Sequence, residues 1–518
     1  MKKIKLFSLL FMSTILFVNC SNDDDAMQEV IVEGPSATAN TKSYNLSSVS
    51  DPNISGTVTV TEFTDSSIQL DLNLQNTESS GVYPAHVHFN TAAEGGDIAV
   101  SLEAIDGNTG NSSTNFTTLD DGTAISYSEF LNFDGYVNVH LSPEDLGTLV
   151  AQGDIGQNEL TGETKAYELE SVAFEDISGN VTFFKRKNGE ALAVATLNNT
   201  TAGAMYPGHI HMNTAAEGGD IVVTLNPVNG DTGVGKTNIA AFDDGSSFNY
   251  EAILNYDGYV NIHLSADELG TLVGQGDIGQ NELTGDTKSY ELGSVAFEDI
   301  SGAITFSKRI NGEALATVTL DNTAAGAMYP GHIHMNTAAE GGDIVVTLNP
   351  VNGDTGVGKT NIAAFDDGAA FSYEDILVYD GYVNIHLSTD QLGVLVAQGN
   401  IGSNEGEDEN ASATSFNVTN TGTTAYIFNG GSFSDANNPE LTLKRGETYE
   451  FVVNASGHPF YIKTVQGNTN SNAYNNGVSN NGAQQGTVTF TVPADAPDTL
   501  FYNCQFHSVM TAKINIID

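Results

Sequence analysis

The sequence predicts an all-β protein made of three tandem domains of one kind and a smaller fourth of another. The first observation is self-similarity. TKSYNLSSV at Thr41, TKAYELESV at Thr164 and TKSYELGSV at Thr287 open three units displaced by 123 residues, a period that suits whole domains rather than solenoid turns. The second is patterning. Runs such as ALAVATL, GHIHMN, DIVVTL and GYVNIHLS are short, alternating or β-branched, and NG, DG and GG turns separate them. The third is composition, with 54 glycines and 16% charged residues, as in a loop-rich β chain. Helical periodicity is confined to short pieces such as ADELGTLV.

At the N-terminus, MKKIKLFSLLFMSTILFVNC joins three lysines to an apolar run from Leu6 to Val18 and a cysteine. This reads as a secretory signal over residues 1–19 rather than a membrane span. Cys20 followed by SNDDD resembles the lipidation site of a bacterial lipoprotein, and the acidic cluster resembles the surface-export tag of Bacteroidetes lipoproteins. That resemblance implies a lipid on Cys20, an acidic tether over residues 20–40, and an anchor to the outer membrane, with exposure at the cell surface as one outcome. Asn19 departs from the small residue usual before such a cysteine. With Cys20 so used, no disulfide is available to staple the fold.

The three units are expected at residues 41–163, 164–286 and 287–402. Each carries one histidine triplet: His86, His88 and His140; His209, His211 and His263; His332, His334 and His386. Strand alternation places His209 and His211 on one face with Ile210 and Met212 on the other, and puts Tyr259, Asn261 and His263 opposite Val260, Ile262 and Leu264. If the GHIH and VNIH strands are neighbours, three imidazoles converge on copper or zinc with one position open. Two readings stay open: metal binding, or hydrogen bonds to loop backbone that serve the fold. Asp97, Asp220 and Asp343 in AAEGGD either orient an imidazole or cap a turn. Met205 and Met328 are replaced by Val82 in the first unit, so no thioether ligand is required. The run YPGHIHMNTAAEGGDIVVTL, the later GYVNIHLS and the closing LGTLVGQGDIG resemble the CHRD domain described in chordin, over residues from about Thr41 to Gly402. The resemblance implies an antiparallel β-sandwich or barrel and leaves the biochemical role undefined.

GSNEGEDENASATS is polar and acidic, and marks a linker over residues 403–414. Beyond it, over residues 415–518, LTLKRGETYEFVVNA, GTVTFTVP and AKINIID alternate as half-buried strands do. His458 lies in GHPFYI, and FYNCQFHSVM places Cys504, His507 and Met510 in one short loop. A thiolate, two imidazoles and a thioether are the ligand set of a blue-copper electron-transfer site, for which zinc can compete. The segment resembles a cupredoxin, the plastocyanin and amicyanin family, with a Cys-x2-His-x2-Met spacing like the short ligand loop of amicyanin. The resemblance implies a Greek-key sandwich, His458 as the upstream ligand, Cys504 as the thiolate, His507 as the second imidazole and exposed electron-exit edge, and Met510 as the axial ligand. Pro459 departs from the asparagine that braces this loop in many relatives.

The formal net charge is −48, and loss of Lys2, Lys3 and Lys5 with the signal makes it more negative. Nucleic acid is thereby excluded as a partner, and the acidity favours solubility and cationic partners. Neither G-x-S-x-G nor HExxH is present. The expectation is an exported, lipid-anchored, copper-binding electron carrier rather than a catalyst, with an unidentified protein or small molecule as redox partner. Copper capture or delivery through the repeat histidines, and adhesion with an accessory copper site, are the alternatives.

Overall fold

The computed structural model describes residues 34–297, 299–405, 414–431 and 433–517. The signal, Cys20 and most of the 403–414 linker lie outside them. After Glu159 the chain divides into two compact units.

The first unit holds a closed antiparallel barrel of eight strands. In order around the wall these are Ala37–Ser48, Ser55–Phe63, Ile68–Gln75, Asn111–Phe116, Ile98–Asp106, Val82–Phe89, Asp134–Ser142 and Asp145–Gly156, the last pairing back with the first. Alternation builds it: IQLDLNLQ turns Ile68, Leu70, Leu72 and Leu74 inward and its polar residues outward. The inward side chains form one core with Val58, Val60, Val87, Val137 and Val139. Left-handed turns are met by asparagine, as at Asn76 and Asn90, which tolerates that conformation best after glycine.

The second unit repeats this barrel twice with the same strand order, from Leu160 to Gly279 and from Leu283 to Gly402. The closed barrel resolves the sandwich-or-barrel alternative for the repeats. Among the described residues, helix is confined to the single turns Tyr127–Phe130, Tyr250–Leu254 and Tyr373–Leu377, capped by Ser126, Asn249 and Ser372. ADELGTLV is not helical. Its first residues form turns and Leu272–Gly279 is a strand. Gly270 and the β-branched Thr271 and Val273 disfavour a helix, and Val273 is needed as barrel core.

Arg309 joins the second and third barrels. Its side chain is fully buried, and Nη1 donates to the Asp277 carboxylate at 2.7 Å and to the Asn281 carbonyl, while Nε donates to Asn361 Oδ1 at 2.7 Å.

The C-terminal part consists of two mixed sheets sharing one core. Six strands run in the spatial order Phe433–Asn437, Ala425–Gly430, Thr414–Thr421, Thr448–Asn454, Gln485–Thr491, Val478–Ser479. The other four are Leu441–Lys444, Thr511–Ile517, Thr499–Cys504 and Phe460–Lys463. Phe416, Phe428, Phe451 and Phe490 of the first sheet pack with Phe460, Leu500, Tyr502 and Ile514 of the second. Phe460 pairs directly with Cys504, which brings the His458 end of one strand to the cysteine end of its neighbour.

Candidate metal centres

The histidine strands are neighbours. In the second barrel, Met205–Met212 and Asp257–His263 pair antiparallel with His209 opposite Asn261 and His211 opposite Tyr259. Alternation commits Ile210, Val260 and Ile262 to the core, so the imidazoles lie on the outer wall. The register shifts between Ile210 and His211 and between Ile262 and His263 place the extra residue, Val222 or Val273, on the neighbouring strand, so the histidine strands keep their alternation.

Loops then cover this wall, leaving the histidines buried or half-buried. His86 Nδ1 lies 3.1 Å from His140 Nε2, His209 Nδ1 is 3.0 Å from His263 Nε2, and His332 Nδ1 is 3.0 Å from His386 Nε2. In each triplet one ring nitrogen of every histidine lies within 4.8 Å of the others, a group that could hold a metal ion. Two imidazoles of each triplet are tied to backbone through their other ring nitrogen. His88, His211 and His334 use Nδ1 on the carbonyls of Gly96, Gly219 and Gly342, each at 2.9 Å. His140, His263 and His386 use Nδ1 on Leu146, Leu269 and Leu392. A carbonyl only accepts, so these five-membered rings carry hydrogen on Nδ1 and a lone pair on Nε2.

These carbonyls replace the carboxylates considered above. The Asp97, Asp220 and Asp343 backbone carbonyls accept from Phe89, Met212 and Met335 N–H, and the glycine before each aspartate takes the imidazole. At Gly219 a side chain would meet the Met212 carbonyl oxygen at 2.1 Å, so this close approach requires glycine.

Three further residues surround each triplet. Tyr136, Tyr259 and Tyr382 stack on His88, His211 and His334 at 4.8–5.0 Å between ring centres. Asn138, Asn261 and Asn384 accept through Oδ1 from Gln152, Gln275 and Gln398. In the second and third barrels the asparagine Nδ2 faces His211 or His334 Nε2 at 3.5 and 3.4 Å. The asparagine and the tyrosine were legible as sharing the histidine face; the glutamine, on the next strand, was not.

Burial first, then the neighbouring imidazoles, hold His86, His209 and His332 below the ordinary histidine range. Burial lowers His140, His263 and His386 as well, against the opposing pull of their carbonyl partners. These shifts favour the neutral imidazole, the protonation state a metal needs.

At the C-terminal centre, His458 Nδ1 and His507 Nδ1 are 3.0 Å apart, and Cys504 Sγ lies 3.7 Å from the first and 3.5 Å from the second. The thiol is free and fully buried, and the Phe506 amide approaches its sulfur at 3.5 Å. Met510, also fully buried, closes the loop: its carbonyl accepts from Cys504 N–H at 2.9 Å, and its amide donates to the His507 carbonyl at 3.2 Å. Burial and the adjacent His507 lower the His458 pKa.

No protein-family model matches the chain, and no curated protein does.

The Pro459 position, which lacks the bracing asparagine, is braced through backbone. Its carbonyl accepts from Gln505 N–H at 3.2 Å and from the Tyr426 hydroxyl at 3.0 Å, which also reaches the His458 carbonyl at 2.9 Å. Tyr426 is fully buried, and burial next to Cys504 raises its pKa far above the ordinary tyrosine value. It was not recognisable from sequence, because it lies about thirty residues before His458 with no motif around it.

Proposed function

We propose that His458, Cys504, His507 and Met510 form a type 1 copper site of the cupredoxin kind, and that the chain is an exported one-electron carrier. The observation that supports this best is the triangle of two Nδ1 atoms and one sulfur at 3.0, 3.5 and 3.7 Å. An ion bonded at about 2.0 Å to nitrogen and about 2.3 Å to thiolate sulfur spaces such atoms roughly 3.1–3.8 Å apart. The donor set fits copper better than other common ions, because a thiolate with two imidazoles and a weak thioether suits both copper oxidation states.

Bound copper would supply the one-electron couple. The protein's share is rigidity and dryness. Tyr426 and the Pro459 carbonyl fix the His458 loop to the cysteine loop, and the aromatic core beneath Cys504 excludes water. His507 sits between two exposed apolar side chains, Phe506 (55% exposed) and Val509 (60%), an apolar rim through which a redox partner can approach the imidazole edge.

The same reading makes the barrels CHRD-type domains, on the strength of the GHIH and VNIH strands, that carry the copper domain. It places the protein at the outer membrane through a lipid on Cys20, supported by the apolar run and cysteine of the leader.

Voltammetry of the copper-loaded protein tests the function. A reversible one-electron wave, lost in Cys504→Ser, is expected; an irreversible wave, or one unchanged by the substitution, would overturn it.

A further inference from the structure

The geometry points to a second class of metal site, one in each barrel, distinct from the C-terminal centre. His86 Nδ1, His88 Nε2 and His140 Nε2 form the first; His209, His211 and His263, then His332, His334 and His386, form the others through the same atoms. Each takes one divalent late transition ion of the zinc and copper(II) class and leaves one coordination position for water or a small anion.

Tautomers carry the argument. Two of the three imidazoles in each barrel donate Nδ1–H to a carbonyl fixed by loop backbone, so their Nε2 lone pairs are directed into one small covered volume. Such a hydrogen bond from the far nitrogen is how ligating histidines are usually oriented. Among the described residues, the strong donor within that volume is the Nδ1–H of the third imidazole, and it satisfies a single lone pair.

The remaining lone pair has no adequate partner. His88 Nε2 is a buried atom with no hydrogen bond among the described residues. In the other barrels the contact from Asn261 or Asn384 is long, at 3.5 and 3.4 Å. A buried acceptor left with no partner in the first barrel and a long contact in the others is destabilising, yet the triplet recurs in all three barrels, with a close-approach glycine at Gly96, Gly219 and Gly342. A fold served by histidine hydrogen bonds alone would not keep an orphan in this place; a cation satisfies both Nε2 lone pairs together, and the third imidazole joins them through Nδ1 in the tautomer that carries its hydrogen on Nε2.

Chemistry sets the ion. Three neutral imidazoles with no thiolate or carboxylate among them suit zinc and copper(II), and three protein ligands leave a position open. The asparagine amide, held through Oδ1 by its glutamine, keeps Nδ2–H facing this volume in the second and third barrels. Once an ion occupies the His211 or His334 lone pair, that N–H is free to donate to an oxygen or anion in the open position.

The test uses the full chain carrying Cys504→Ser, which removes the C-terminal thiolate and so separates this inference from the electron-transfer reading. Metal-free protein is exposed to zinc chloride, desalted and analysed for bound metal. Three tightly held zinc ions per chain are expected, falling to two in His140→Ala and equally in His140→Gln, whose amide can still donate to the Leu146 carbonyl and preserve the loop. Loading with copper(II) instead should give an electron paramagnetic resonance spectrum with nitrogen hyperfine structure that shifts when azide is added. Loss of all zinc on desalting, or three ions retained in both His140 variants, would overturn the sites; a spectrum indifferent to azide would overturn the open position.

Discussion

Gly208 lies directly opposite Ile262 in the interior of the second barrel, where the first barrel has Ala85 opposite Val139. One methyl has moved across the strand pair that carries the histidines. A β-carbon at Gly208 would meet Ile262 Cδ1 at 2.8 Å, too close for a packed core. Gly208→Ala should therefore destabilise the second barrel by about 1 kcal/mol, the low end of the cost of overpacking, because the atom it meets is the free end of a side chain. Adding Ile262→Val should recover most of it, because the pair then matches the first barrel. Hydrogen exchange of amides in Met205–Met212 reads the effect locally, and non-additivity of the two substitutions is the signature.

Arg309 should be costly to truncate. Arg309→Ala leaves the Asp277 carboxylate without its ion pair, and breaking a buried pair this way costs about 3–5 kcal/mol. The loss should appear as faster proteolysis of the chain between the second and third barrels, near Gln280–Glu282. Arg309→Lys should rescue little, since one ammonium cannot serve Asp277, Asn281 and Asn361 together.

Acid should destabilise the metal-free protein through its histidines. His86, His140, His209, His263, His332, His386 and His458 all have folded pKa values lowered from 6.5. The unfolded chain therefore takes up protons first as the pH falls. The stability these groups contribute is whole above about pH 6.5 and is lost as the pH drops through the lowered values. Urea midpoints measured from pH 8 down to pH 5 should fall steadily below pH 6.5, and a flat profile would count against the burial described here.

Tyr426→Phe should loosen the C-terminal centre without emptying the core. It removes the hydroxyl that bonds the His458 and Pro459 carbonyls, at about 1 kcal/mol. The Gln505 amide, which donates to the Pro459 carbonyl, should exchange roughly fivefold faster.

Much of this was legible in the sequence, for identifiable reasons. Period-two alternation reports which face a side chain takes, so His209 and His211 could be placed together, and with neighbouring strands their meeting with His263 followed. Closure into barrels was not legible, because strand order is fixed by pairings between distant segments such as Glu170 with Gln275 that no local pattern records. The carbonyl partners of the imidazoles were missed because a backbone oxygen has no letter of its own; the glycine and leucine that supply it looked like turn and core residues. ADELGTLV misled because a two-turn apolar spacing is too short to separate a helix from a turn leading into a strand. His458, Cys504, His507 and Met510 were singled out because Cys504, His507 and Met510 share one short loop with few other uses for such donors, and the structure brings ligand atoms of His458, Cys504 and His507 within 4.8 Å of one another.

The most direct measurement is the visible spectrum of the metal-free full chain titrated with copper(II), beside its Cys504→Ser variant. An intense thiolate-to-copper charge-transfer band that grows in the parent and is absent from the variant is the predicted result. Copper that binds with no such band in the parent, or a band that survives loss of Cys504, would contradict a type 1 site at His458, Cys504, His507 and Met510.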